Sequence, residues 1–147
     1  MALSDFIPQE GQKRVVEAIE AAEKRTSGEI RVHIEPRCKS GDAYRRAVEV
    51  FNELKMYETG QRNAVLVYVA YRSHVFAIIG DCGINERVGS GFWNEEIETL
   101  ARYLRQGDPV GGLCEVIGQI GDSLSAYFPW TEDDVNEQSD EISYKEN

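Results

Sequence analysis

An α/β fold, a three-layer α/β/α sandwich around a small mixed β-sheet, is predicted by three features of these 147 residues. Helical and strand periodicities alternate along the chain. The run Asn63-Ala64-Val65-Leu66-Val67-Tyr68-Val69-Ala70 is apolar almost throughout, as in a strand covered on both faces. Arg72-Ser73 then joins it to His74-Val75-Phe76-Ala77-Ile78-Ile79, a hairpin partner.

From Pro8 to about Arg25, Val15, Ile19 and Ala22 keep helical spacing, and the proline suits a first turn. Thr26-Ser27-Gly28 ends that helix. Glu29-Ile30-Arg31-Val32-His33-Ile34-Glu35 alternates as a half-buried strand, with His33 on its solvent face, and stops at Pro36. Asp42 caps a second helix whose stripe is Tyr44, Ala47, Val48, Phe51 and Leu54. After the hairpin, Trp93, Ile97, Leu100 and Leu104 mark a third helix, ended by Gly107. Asp108-Pro109 opens the last helix, with Val110, Leu113, Ile117, Ile120, Leu124 and Phe128 as its core stripe. The first two strands are parallel through a right-handed crossover, and the third returns antiparallel.

Residues 1–130 make one domain, and 131–147 form an acidic tail without apolar periodicity, expected to be flexible. The net charge is −10, and the tail holds seven acids against one lysine. An acidic body repels phosphate backbones and anionic lipid, which sets nucleic acid and membrane aside as partners. No signal-peptide pattern opens the chain, and no run approaches the ~18 apolar residues of a membrane helix. Three cysteines, Cys38, Cys82 and Cys114, form no CxxC pair and suit a reducing compartment. A monomer in the cytoplasm is expected.

The candidate site lies where the third strand ends, in Ile78-Ile79-Gly80-Asp81-Cys82-Gly83-Ile84-Asn85-Glu86. Because that strand runs against the other two, its end shares an edge with their starts. Asp81 should therefore lie near Glu29, Arg62 and Asn63, with Asn85 and Glu86 following in the loop. Carboxylates and amide oxygens are hard ligands that suit Ca²⁺ or Mg²⁺ rather than Zn²⁺. Arg62 can contact a phosphate oxygen beside such an ion. The competing reading is structural: Asp81 as a turn former or helix cap, and Glu29 as the ion-pair partner of Arg62. Cys82 and Arg87 are too close for a cysteine-phosphatase loop, and no serine-nucleophile or phosphate-loop signature is present.

Three motifs in this order, Ser27-Gly28-Glu29-Ile30, Arg62-Asn63-Ala64-Val65-Leu66 and Ile79-Gly80-Asp81-Cys82-Gly83-Ile84, carry a resemblance. The chain resembles the TPM domain family over about residues 8–129. That family is found in thylakoid-lumen proteins supporting photosystem II repair, in an animal receptor modulator, and in many bacterial proteins. The tail, Asp133-Asp134-Val135-Asn136-Glu137 and Asp140-Glu141-Ile142-Ser143, is similar to that of small stand-alone bacterial members. The resemblance implies an α/β/α sandwich, divalent-cation binding and an acid phosphatase activity. It further implies Glu29, Asn63 and Asp81 as the functional edge, with Asn85 and Glu86 beside them. In such a phosphatase the cation would polarise a phosphoryl oxygen and Asp81 would orient water. Two departures stand out: Ala64 replaces the glycine usual after the strand-2 Asn, and neither export signal nor anchor is present. The partner is then a phosphate-ester small molecule, or, in a non-catalytic module, a protein.

Overall fold

The computed structural model describes residues 3–132 and 136–147. The tail motif's Asp133, Asp134 and Val135 lie outside the described residues. After a short 3₁₀ turn at Leu3–Asp5, helix α1 (Gln9–Glu23) begins behind Pro8 and buries Gly11, Val15, Ile19 and Ala22. Strand β1 (Glu29–Glu35) follows, then α2 (Ala43–Glu53), β2 (Ala64–Ala70) and β3 (Val75–Gly80). A short helix α3 (Cys82–Asn85) precedes α4 (Asn94–Arg105) and α5 (Pro109–Ser125). The tail adds a two-residue strand, β4 (Ser143–Tyr144).

The sheet order is β3-β2-β1-β4. Strands β1 and β2 are parallel with Glu29 opposite Ala64, and β3 pairs antiparallel to β2 with Gly80 opposite Val65. Alternate residues of β2 serve two cores. Val65, Val67 and Val69 join Ile30, Val32 and Ile34 beneath α1 and α5. Leu66, Tyr68 and Ala70 face Ala47, Val50, Phe51 and Met56 on the α2 side. Being covered on both faces is the reason β2 reads as one apolar run.

Helix α5 starts where Asp108-Pro109 predicts. The Asp108 carboxylate accepts a hydrogen bond from Gly111 N at 2.9 Å. Gly111 leaves the room this needs, since a Cβ there would sit 2.2 Å from Asp108 Oδ2. Asp108→Ala is expected to lower stability by about 1 kcal/mol in urea unfolding. Val110, Leu113, Ile117, Ile120 and Leu124 of the predicted stripe are buried in α5, while Phe128, also buried, lies past the helix end.

Three expectations differ from the structure. In α2 the buried face is Ala47, Val50 and Phe51, while Tyr44 and Val48 are exposed. The stripe is rotated because α2 lies across β2 and β3 rather than over β1. In α4, Ile97 is exposed and Glu96 and Thr99 are buried, with Ser123 of α5 donating to the Glu96 carboxylate at 2.9 Å. The polar face of β1 is not solvent-facing. His33 is only 3 % exposed, because Ser143 of the tail approaches one side of its ring and Glu35 the other. Among the described residues no helix is long and apolar enough to cross a membrane.

Candidate functional site

The reversal at the β2–β3 hairpin brings the end of β3 to the starts of β1 and β2. Asp81 N donates to Ala64 O at 2.9 Å, and Glu29 N donates to Asn63 O. Asp81 then caps α3: its carboxylate accepts from Cys82 N at 2.7 Å. Both arms of Arg62 close on the same carboxylate, Nε to Oδ2 at 2.7 Å and Nη2 to Oδ1 at 2.9 Å. Asn85 ties back by donating from Nδ2 to Gly80 O, and Glu86 is exposed at the end of α3.

Glu29 belongs to a different cluster. Strand β2 lies between β1 and β3, so the backbones carrying Glu29 and Asp81 stand two strand spacings, about 10 Å, apart. The expected Glu29–Arg62 pair does not form, because Arg62 is taken up bidentately by Asp81. Glu29 is buried and instead accepts from the backbone N–H of Glu137 in the tail. Next to it, Glu23 at the end of α1 accepts from Ile30 N at 2.9 Å, satisfying an outward-facing amide of β1 beyond the reach of β4.

Glu20, Glu23, Glu29 and Asp140 line one cavity of ≈ 270 Å³, with Lys24, Trp130 and Ser27 in its wall. Burial pushes the Glu23 carboxyl well up, reinforced by Asp140 and Glu29 and opposed by the Ile30 amide. Burial likewise raises Glu29, while the Glu137 amide and Glu23 work against the rise. Among the described residues neither carboxylate is salt-bridged. Two oxygens at this edge are buried without a hydrogen-bond partner, Asp140 Oδ1 and Asn63 Oδ1. Asn63 itself is 1 % exposed, and its amide nitrogen lies 3.5 Å from Ser27 Oγ in the cavity wall. Yet among the described residues no three Asp, Glu, His or Cys side chains already sit close enough to hold an ion together. The arrangement is a carboxylate pair with a third carboxylate and an amide at its margin.

Sequence reasoning reached Glu29 and Asn63 but missed Glu23 and Asp140. Glu23 left one trace: it is an acid at the C-terminal end of a helix, where the macrodipole disfavours negative charge. Asp140 left none, since it arrives from a segment without periodicity. A second polar cluster was also missed, at the far end of β1. The buried Glu35 carboxylate accepts from Arg46 Nε (2.9 Å) and Nη2 (3.0 Å) and from Tyr68 Oη (2.6 Å), and meets His33 Nε2 at 3.0 Å.

The chain is similar to the BA42 protein of the psychrophilic bacterium Bizionia argentinensis. The identity is 41 %, with 98 % of this chain and 99 % of that one covered and a TM-score of 0.91. The N-terminal domain of cg2496 from Corynebacterium glutamicum shares the fold. There the TM-score is 0.66 at 14 % identity, over 88 % of this chain and 81 % of that one. A comparison with curated proteins finds no match. The family pattern described as the TPM domain matches residues 2–123, and the chain belongs to the TPM domain family.

Proposed function

We propose that this domain binds a hard divalent cation, Ca²⁺ or Mg²⁺, in the cavity between α1, β1 and the tail. Glu23 and Glu29 would be the principal ligands, with Asp140 and the Asn63 amide oxygen beside them. The observation that carries the reading is the pair Glu23 and Glu29, the first half-buried and the second buried, neither of which is ion-paired among the described residues although Lys24 also lines the cavity. Two like charges in a shielded site repel and are costly to desolvate, so the pair calls for a proton or a cation. All four groups offer oxygen, which fits Ca²⁺ and Mg²⁺ and does not fit Zn²⁺. The orphaned Asp140 Oδ1 and Asn63 Oδ1 fit the same demand for acceptors without donors.

Phosphate-ester hydrolysis, the activity that the resemblance implies, draws less support. Both oxygens of Asp81 already accept hydrogen bonds, and a water-orienting role would require the Arg62 pair to open. The domain is read as a cation-binding module, with a monomer in the cytoplasm as its expected setting and a protein or phosphate ester as its partner. Turnover of p-nitrophenyl phosphate by the parent and its loss in Asp81→Ala would favour the enzyme instead.

Titration of metal-stripped protein with CaCl₂ and then MgCl₂, followed by amide NMR, tests the site. Saturable shifts are expected at residues 20–30, 63 and 136–141, and Glu29→Gln should weaken binding at least tenfold. Shifts confined to 80–87 would move the ion to Asp81, Asn85 and Glu86, and the absence of saturable shifts would remove it altogether.

A further inference from the structure

We propose that the cavity between the β2–β3 hairpin and the last turn of α4 binds a small carboxylate with an apolar body, an alkanoate or an aryl carboxylate. Its volume is ≈ 330 Å³. That is the lower end of the ~300–1,000 Å³ usual for small-molecule pockets, and suits a single ring or a short alkyl chain. Phe6 and Tyr71 stack with ring centres 4.6 Å apart and planes 8° from parallel, forming one aromatic wall. Phe76 of β3 and Ala101 and Leu104 of α4 supply the others. Ala101 is the small member of this lining, and a longer side chain there would enter the space. The cavity sits at the Ala70 end of β2, whereas Glu29 faces Ala64 at the opposite end, about 20 Å away at ~3.3 Å per residue. It is therefore a different site from the Glu23–Glu29 cavity and does not rest on the cation reading.

Charge at the rim decides which kind of ligand fits. The chain as a whole carries −10, yet among the described residues no carboxylate lines this cavity. The lining groups able to carry positive charge are Arg105 and His74. Arg105 is exposed and takes part in none of the ion pairs among the described residues. A cation in the last turn of a helix also suits the helix dipole. Arg102 in the same turn already serves that purpose, its guanidinium 5.5 Å from the centre of the Tyr103 ring. His74 closes the hairpin turn at φ 56°, in the left-handed region that glycine adopts without strain. Turn geometry alone therefore does not account for an imidazole at this position, and a non-glycine residue held there is a feature that clusters at ligand sites. A guanidinium and an imidazole over apolar walls are complementary to one anionic group on an apolar body. The two oxygens of a carboxylate match the fork of Arg105.

The test is an amide NMR titration of the full chain with sodium hexanoate and sodium benzoate. Hexan-1-ol and hexylammonium chloride are the uncharged and oppositely charged controls. At least one carboxylate is expected to give saturable shifts confined to residues 69–76 and 101–105. Hexanoate should bind more tightly than hexan-1-ol by about threefold, the worth of one exposed charge contact. Arg105→Glu should reverse the order of hexanoate and hexylammonium, and Ala101→Leu should abolish binding by filling the cavity. His74→Gly should weaken hexanoate while leaving the thermal unfolding midpoint at or above that of the parent, because glycine suits the turn. No saturable shifts in these segments with either carboxylate would overturn the proposal, as would equal affinity of the parent for hexanoate and hexylammonium. Binding undiminished in an Ala101→Leu protein that unfolds at the parent's temperature would overturn the placement in this cavity.

Discussion

Glu35→Gln is expected to lower the unfolding free energy at neutral pH by on the order of 3 kcal/mol, because it leaves a buried donor set without its charge. Glu35 is fully shielded from solvent, and burial alone would raise its pKa. Hydrogen bonds from His33, Arg46 and Tyr68, together with the charge of Arg46, overcome that and hold it at about 2. A carboxyl held below its ordinary value of 4.5 contributes stability that is present above that value and lost as pH falls through about 2. The parent should therefore lose this increment on acidification, whereas Glu35→Gln has none to lose. Urea unfolding at pH 7, 4 and 2.5 should show the gap between the two proteins narrowing toward the acid end. Parallel curves would mean that the Glu35 cluster contributes nothing to acid stability.

Gly83→Ala is expected to cost about 3 kcal/mol, at the upper end of what overpacking does. The sign is the informative part. Gly83 lies in α3, and glycine to alanine in a helix ordinarily gains up to about 1 kcal/mol. Here a Cβ would sit 2.1 Å from Gln61 O and 2.5 Å from Arg62 O. Both are backbone atoms, so no side chain can rotate away to make room. The same carbonyl of Arg62 accepts from Gly83 N at 2.9 Å, so pushing α3 off the loop breaks that bond and draws Asp81 from Arg62. Gly89→Ala is the control, with nothing within 4 Å of its Cβ. Thermal unfolding reads all three proteins, and a Gly83→Ala as stable as the parent would sink this account of the close approach.

Gly83 also explains the Gly-Asp-x-Gly pattern at the end of β3. Asp81 caps the short helix, and Gly83 lets that helix rest on the 61–62 backbone. The cap was legible in the sequence because capping acts within a few residues. The partner of Asp81 was legible only as one of several. Strand direction brings Arg62, Asn63 and Glu29 to the same edge, but strand order separates Glu29 from the rest, and order is not written in local periodicity.

By itself the sequence determined the seven longer elements, their order and the two-sided burial of β2, but not the short α3 or β4. Apolar spacing reports whether an element's own faces meet apolar neighbours, and Asp42 and Asp108 mark helix starts through contacts three residues away. Only the tertiary structure decided that Glu29 meets Glu23 and Asp140, and that His33 and Glu35 are buried rather than wet. Those outcomes depend on what covers the polar face and outer edge of β1. The cover comes from Arg46 of α2 and from a tail more than a hundred residues farther along the chain. A strand's alternation marks which side is polar. It carries no record of which distant segment will lie against that side, because that is set by how separate elements pack together.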